Sequence, residues 1–313
     1  MVKKIDKMAH FKDNSLIKIH LPLFLVQVCF ATLPIFSKIA FKAFEPGVLV
    51  FVRVWGAAFS FGLAYFIFGR EKLKDKKHLL HFAVLALFGV VANINFYLQG
   101  LRLTTAINAT VILSAIPILT LIFAIALKKE AFTPAKIAGV IIAFIGVCLI
   151  IDLKNFNLGG YFKGNLFVLI NSASYALYLV FVKPYFEIYK PFTIITYVFL
   201  FASIEIIPFV YKDIAAINFH AIPPDSYFPL LMVLVLGTIC PYLFNTLALK
   251  HAPSSFVAVY VYLQQVLAII LAIVVLGEAM TFRIIIAAFL IVLGIIIVRF
   301  KSKILLSSEQ EIL

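Results

Sequence analysis

The segment Glu130-Ala131-Phe132-Thr133 returns 148 residues later as Glu278-Ala279-Met280-Thr281. A chain written twice in one pattern is confined to folds made of two like halves. At the same spacing, with no gap, Phe96 pairs with Phe244, Leu101 with Leu249, Ala124 with Ala272 and Gly146 with Gly294. Apolar matches are frequent in so greasy a sequence, so the recurring Glu and Thr carry most of the weight. A spacing of 145 aligns the earlier parts, Phe36-Ser37-Lys38 with Phe181-Val182-Lys183 and Glu45-Pro46 with Lys190-Pro191.

The solvent of this fold follows from its charge. Hydrophobic residues make up 64% and charged residues 13% of the chain, against roughly 25% charged in a soluble domain. The expected fold class is therefore an all-α polytopic membrane protein. At roughly 20 residues per span, ten transmembrane helices are expected, over 20–41, 47–68, 79–100, 105–127, 134–151, 164–182, 192–211, 228–249, 255–276 and 282–299. The domain division is a leader at 1–19, a first five-helix repeat at 20–151, a linker at 152–163, a second five-helix repeat at 164–300 and a tail at 301–313.

A net charge of +13 raises the question of nucleic acid, but the placement of the charge argues for a membrane. With the N-terminus inside, 19 of the 27 Lys and Arg fall on the inner side. The positive-inside rule then sets both termini in the cytoplasm and the linker outside, in the inner or plasma membrane. The basic loops serve topology and contact with anionic lipid rather than a nucleic acid. Five spans per repeat start the first half inside and the second outside, so the repeats are expected to be inverted. The apolar run after His20 is longer than a signal-peptide core and lacks a cleavage site, so it stays as the first span. Cys29, Cys148 and Cys240 have no CxxC spacing and read as packing residues. The histidines, including His78 and His81 at the membrane edge, form no metal-ligand pattern, and neither a metal nor a cofactor is expected.

Several positions in this order resemble a known family. They are Pro46 followed by Arg53 in the second span, Tyr97 to Leu101, the run from Thr105 to Pro117, Leu127 to Pro134 with Glu130, and the second copy through Ala248-Leu249, Gly277-Glu278, Thr281 and Gly294. In order, spacing and duplication they resemble the EamA-type members of the drug/metabolite transporter superfamily, from about residue 20 to 300. The resemblance implies two inverted five-helix units around a central cavity that opens alternately to each side, and it marks Arg53, Pro117, Glu130 and Glu278 as family or structural positions. One departure stands out: Gln265 occupies the place that matches Pro117. A proline inside a membrane helix frees a carbonyl and permits a kink, so the two halves are expected to bend differently there.

Polar groups inside the spans point to a site, because an amide or hydroxyl away from water needs partners. Asn171, Ser174, Tyr175 and Tyr178 share one helical face. Asn93 and Tyr97, then Tyr242 and Asn245, and finally Tyr260 and Gln264 add groups from three further spans. These ten residues are the expected substrate-binding set, the alternative being hydrogen bonds between helices. Their neutral, phenol-rich character suits a small amphipathic metabolite such as an amino acid, with an organic cation held against Tyr faces as the second possibility.

A strongly anionic cargo would need Lys or Arg at depth, for which Lys38 and Arg53 are the candidates. Lys38 reads instead as snorkelling to the outer surface, and Arg53 as pairing with helix carbonyls or an acid, with cargo as the alternative. Glu205, the acid placed well inside a span, is the candidate for proton coupling, with hydration near the outer interface as the alternative reading. Glu130 and Glu278 are expected to cap the helices that follow them, with Thr133 and Thr281 as N-caps. Gly139, Ala143 and Gly146, with Ala287 and Gly294, read as close-packing faces within one chain or between two, so monomer and homodimer both stay open. The sequence shows no Ser-His-Asp, HExxH or paired-carboxylate arrangement, so a transporter is expected rather than a membrane-embedded enzyme or lipid-handling protein.

Overall fold

The computed structural model describes residues 2–68, 70–131, 133–150, 161–218, 222–267 and 282–310. Glu278, Thr281, most of the expected linker, the end of the ninth expected span and the Cys148 side chain lie outside the described residues. All regular structure among the described residues is helical.

The first half runs through α1 (Val2–Ala40), α2 (Pro46–Phe68), α3 (Lys77–Ala86), α4 (Asn93–Leu103), α5 (Ala106–Leu113), α6 (Ile116–Ala126) and α7 (Pro134–Ile150). The second holds α8 (Phe162–Val182), α9 (Pro191–Glu205), α10 (Ile207–Ala215), α11 (Tyr227–Leu234), α12 (Cys240–His251), α13 (Ser254–Val259) and α14 (Phe282–Gln310). After a turn at Tyr260 the α13 segment continues to Leu267. Helices α2, α7 and α9 each begin on proline, whose fixed φ and missing N–H suit a first helical position.

Among the described residues, six helical stretches are long and apolar enough to cross a membrane, and a seventh forms if α9 and α10, bent by 59°, count as one. Shorter apolar helices cover Pro134–Gly146, Ser254–Leu267 and Ile285–Val298.

Contacts in one half recur in the other with their partners exchanged. Helix α4 packs on α8, and its counterpart α12 packs on α1. Lys38 Nζ donates to Leu101 O at 2.6 Å, and Lys183 Nζ donates to Leu249 O at 2.5 Å, both at helix C-terminal ends. There a cation meets carbonyls with no helical partner and the negative end of the dipole. Lys38 thus does more than snorkel. Asp213 Oδ2 accepts from Gly47 N at 2.9 Å and caps α2, while Glu71 Oε2 accepts from Lys190 N at 2.9 Å and from Thr193 Oγ1 at 2.7 Å and caps α9.

Small residues join α7 to α14. A Cβ added at Gly139 would meet the carbonyl of Gly294 and the side chain of Val298, and one added at Gly146 would meet the carbonyl of Ala287 and Ile291. Gly294 in turn lies against Gly139 and Ala143. The two small-residue faces are therefore buried on each other within one chain.

Two expectations need correction. Span four breaks at Ser114 and Ala115, just before Pro117, but span nine also breaks, at Tyr260, without a proline. Its turn is tightened by a bond from Tyr260 N to Val257 O at 3.2 Å, and Gln264 Nε2 reaches Phe30 O on α1 at 3.3 Å. Glu130, for its part, does not cap α7. Its carboxylate accepts from Ser255 N at 3.0 Å and from the Ser255 hydroxyl, so it caps α13 in the other half, with Lys136 Nζ at 2.8 Å as counter-ion. Thr133 Oγ1 is buried without a hydrogen bond among the described residues, so it does not act as an N-cap to them. The loop turns the acid towards the neighbouring helix end, where two donors and a cation converge on it.

Each half also carries a π-helical turn, Leu87–Ala92 before α4 and Val235–Ile239 before α12. Their first residues are 148 apart, the repeat spacing. Such turns widen a helix by one residue and disturb its carbonyl ladder. Both glycine carbonyls inside them are claimed by side chains: Tyr242 Oη donates to Gly89 O at 2.5 Å, and Arg53 Nη2 donates to Gly237 O at 2.6 Å. The Tyr178 ring presses on Gly89 and Leu33 presses on Gly237, too close for any Cβ.

Candidate functional site

A cavity opens where the two halves meet. Phe30 and Leu33 of α1, Arg53 of α2, and Leu113 and Ile116 at the α5–α6 break form one part of its wall. Asn93 and Tyr97 of α4, Asn171 and Tyr175 of α8, and Val261 and Gln264 beyond the Tyr260 turn complete it. About 60 Å³ is open to the centres of water-sized molecules, enough for a few waters or part of a small solute.

Local structure explains why these groups face inward. Asn171 and Tyr175 are four residues apart on α8, and Asn93 and Tyr97 four apart on α4, so each pair stacks on one helix face. The π turn before α4 sets the rotation of that face. Asn171 Nδ2 donates to Asn93 O at 2.7 Å, which ties α8 to the start of α4. The break at Ser114 and Ala115 brings Leu113 and Ile116 to the wall from two helix ends.

Five of the ten expected substrate residues line this cavity: Asn93, Tyr97, Asn171, Tyr175 and Gln264. The other five stand outside its wall. Tyr242 bonds Gly89 O and donates to Asn93 Oδ1 at 3.1 Å, orienting a wall residue from behind. Asn245 Nδ2 donates to the Tyr175 hydroxyl at 2.5 Å and does the same on α8. Tyr178 lies against Gly89 and hydrogen-bonds Thr246, and Ser174 is buried beside it on α8. Tyr260 is turned away to His20, with which its hydroxyl shares a hydrogen bond.

Arg53 is the wall residue for which the sequence favoured a structural partner over cargo. It does bind a helix carbonyl, Gly237 O, and its Nε donates to Thr238 Oγ1 at 2.7 Å. It is also 2% exposed, in the wall, with Nη1 lacking any hydrogen-bond partner and no acid paired with it among the described residues. The signal was available, since an ionisable residue inside an apolar span marks a site by default. Glu205 is absent from the wall. It ends α9 at the bend before Pro208, half-buried, with its Oε2 buried and without a hydrogen-bond partner among the described residues. Pro117 sits at the start of α6, behind the break that shapes the wall.

Apolar helices built twice around a shared cavity, whose wall sets a few polar groups among apolar ones, mark a polytopic membrane protein of the solute-handling class. Comparison with known proteins agrees. The EamA-like transporter family matches residues 17–152 and again 162–300, and the chain belongs to this family, within the drug/metabolite transporter superfamily. It is 31% identical to an uncharacterized transporter of Archaeoglobus fulgidus over 91% of this chain and 98% of that one. It is 24% identical to the uncharacterized transporter YyaM of Bacillus subtilis, covering 88% and 93% of the two chains. A WAT1-related protein of Arabidopsis thaliana is also 24% identical, covering 98% and 88%. A protein solved by crystallography aligns with a TM-score of 0.72 at 18% identity over 90% of this chain and 97% of that one, a likeness of fold alone.

Proposed function

We propose that the protein is a secondary transporter that carries a small amphipathic metabolite, an amino acid or a related compound, by alternating access. The observation that carries this reading is the cavity itself, walled by side chains from both halves and mixing amides and phenols with aliphatic groups. In this reading ten helices span the membrane as two inverted five-helix repeats, with both termini cytoplasmic in the plasma membrane. The exchanged contacts of Lys38 with Lys183, and of α7 with α14, support it because a two-fold relation between halves generates such pairs. The small-residue faces are used up inside one chain, which favours the single chain as the working unit.

An organic cation is the weaker cargo, since the charged group in the wall is itself cationic. Membrane-embedded catalysis finds no support in the relatives' names, which are those of transporters. Purified protein in liposomes, offered a radiolabelled panel of amino acids, should take up at least one without altering it chemically, and excess unlabelled solute should compete. Chemical conversion of the solute, or no uptake of any panel member, would contradict the proposal.

A further inference from the structure

We infer that Arg53, with Tyr97, forms an anchor for the carboxylate of the transported solute. This rests on the transport reading above and narrows its substrate to a carboxylate-bearing molecule. Four observations converge on it. Arg53 is 98% withdrawn from solvent yet forms part of the cavity wall, so its charge is spent inside the protein. Its Nε and Nη2 are held by Thr238 Oγ1 and Gly237 O, which aims the guanidinium plane, while Nη1 has no hydrogen-bond partner among the described residues. Neither Asp nor Glu among the described residues forms an ion pair with it, while Glu71, Asp213 and Glu130 serve the ends of α9, α2 and α13. Tyr97 adds a buried phenol to the same cavity wall.

A buried cation without a counter-ion is costly and is ordinarily paired. Here two of its arms are bound to neutral acceptors, which orient the charge without neutralising it. A carboxylate fits the free arm and the neighbouring phenol, since one oxygen takes a charge-assisted hydrogen bond from Nη1 and the other can accept from the Tyr97 hydroxyl. Asn171 Oδ1, also buried and unpartnered, offers an acceptor in the same wall for an ammonium or amide N–H. Leu33, Ile116 and Val261 supply the apolar remainder.

The test is the thermal stability of the purified full chain over matched pairs, the twenty amino acids with their carboxamides and acetate to hexanoate with their amides. A ligand that binds the folded state raises Tm by mass action. One or more carboxylates should stabilise the protein, and the matching amide should bind about 10-fold or more weakly. Arg53→Lys, which keeps the charge and loses the fork, should weaken the carboxylate about 10-fold. A wild-type response confined to amines or amides, or no response to any carboxylate, overturns the anchor. Should Arg53→Lys not fold, Tyr97→Phe decides: Tm without ligand unchanged and carboxylate affinity lower by about 5-fold supports the anchor, and unchanged affinity overturns it. Uptake by liposomes is scored separately. Transport of a solute without a carboxylate leaves the transport reading standing and removes the anchor.

Discussion

Burial sorts the polar side chains of this protein into those that meet a cavity and those that hold another residue in place. Helical spacing identifies faces that cannot point at lipid, and it found Asn171 and Tyr175 together with Ser174 and Tyr178 on one face of α8. It cannot distinguish a cavity from a neighbouring helix, and Tyr178 meets the Gly89 turn instead. Arg53 shows the opposite error: its carbonyl contact was legible, but its place in the cavity wall depends on the break between α5 and α6 and the turn at Tyr260, which apolar patterning hides. Tyr242→Phe should remove the bonds to Gly89 O and Asn93 Oδ1 and lower stability by about 1 kcal/mol, read as a fall in Tm. Glu205→Gln should leave accumulation of solute in liposomes intact, because Glu205 sits at a bend outside the cavity wall. Loss of proton-driven accumulation in this variant would return Glu205 to the mechanism.

At the scale of elements, the repeat spacing foretold matched pieces but not how they would meet. Lys38 and Lys183 were aligned from sequence, and the structure adds that both close the C-terminal ends of helices, α4 and α12. The π turns were illegible, since a widened turn leaves no mark in apolar periodicity, yet they fall at equivalent places and present Gly89 and Gly237 to polar side chains. Glu130 was read locally, as a cap for the helix it precedes, and the non-local partner Ser255 won because it offers a backbone N–H and a hydroxyl together. Lys183→Met should cost about 1 kcal/mol by stripping the α12 terminus, and Lys38→Met a similar amount at α4. The two lie in different halves and should add. A thermal or urea titration of both single variants and the double variant checks this, and strong non-additivity would show that the two caps are not independent.

For the whole molecule, the duplication was the strongest signal in the sequence, and the family match falls on both copies. What sequence could not show is that the copies interlock, with α1 on α12 and α8 on α4, so that the cavity belongs to neither half alone. That arrangement makes alternating access the central claim. Leu113 lies in the cavity wall at the break between α5 and α6, and a reporter placed there leaves Arg53 and the wall amides unsubstituted. In a background with Cys29, Cys148 and Cys240 replaced by serine, Leu113→Cys in oriented membranes should react with a membrane-impermeant maleimide applied from either side. A transported solute should slow both reactions. Labelling from one side alone, or from neither, would contradict alternating access through this cavity.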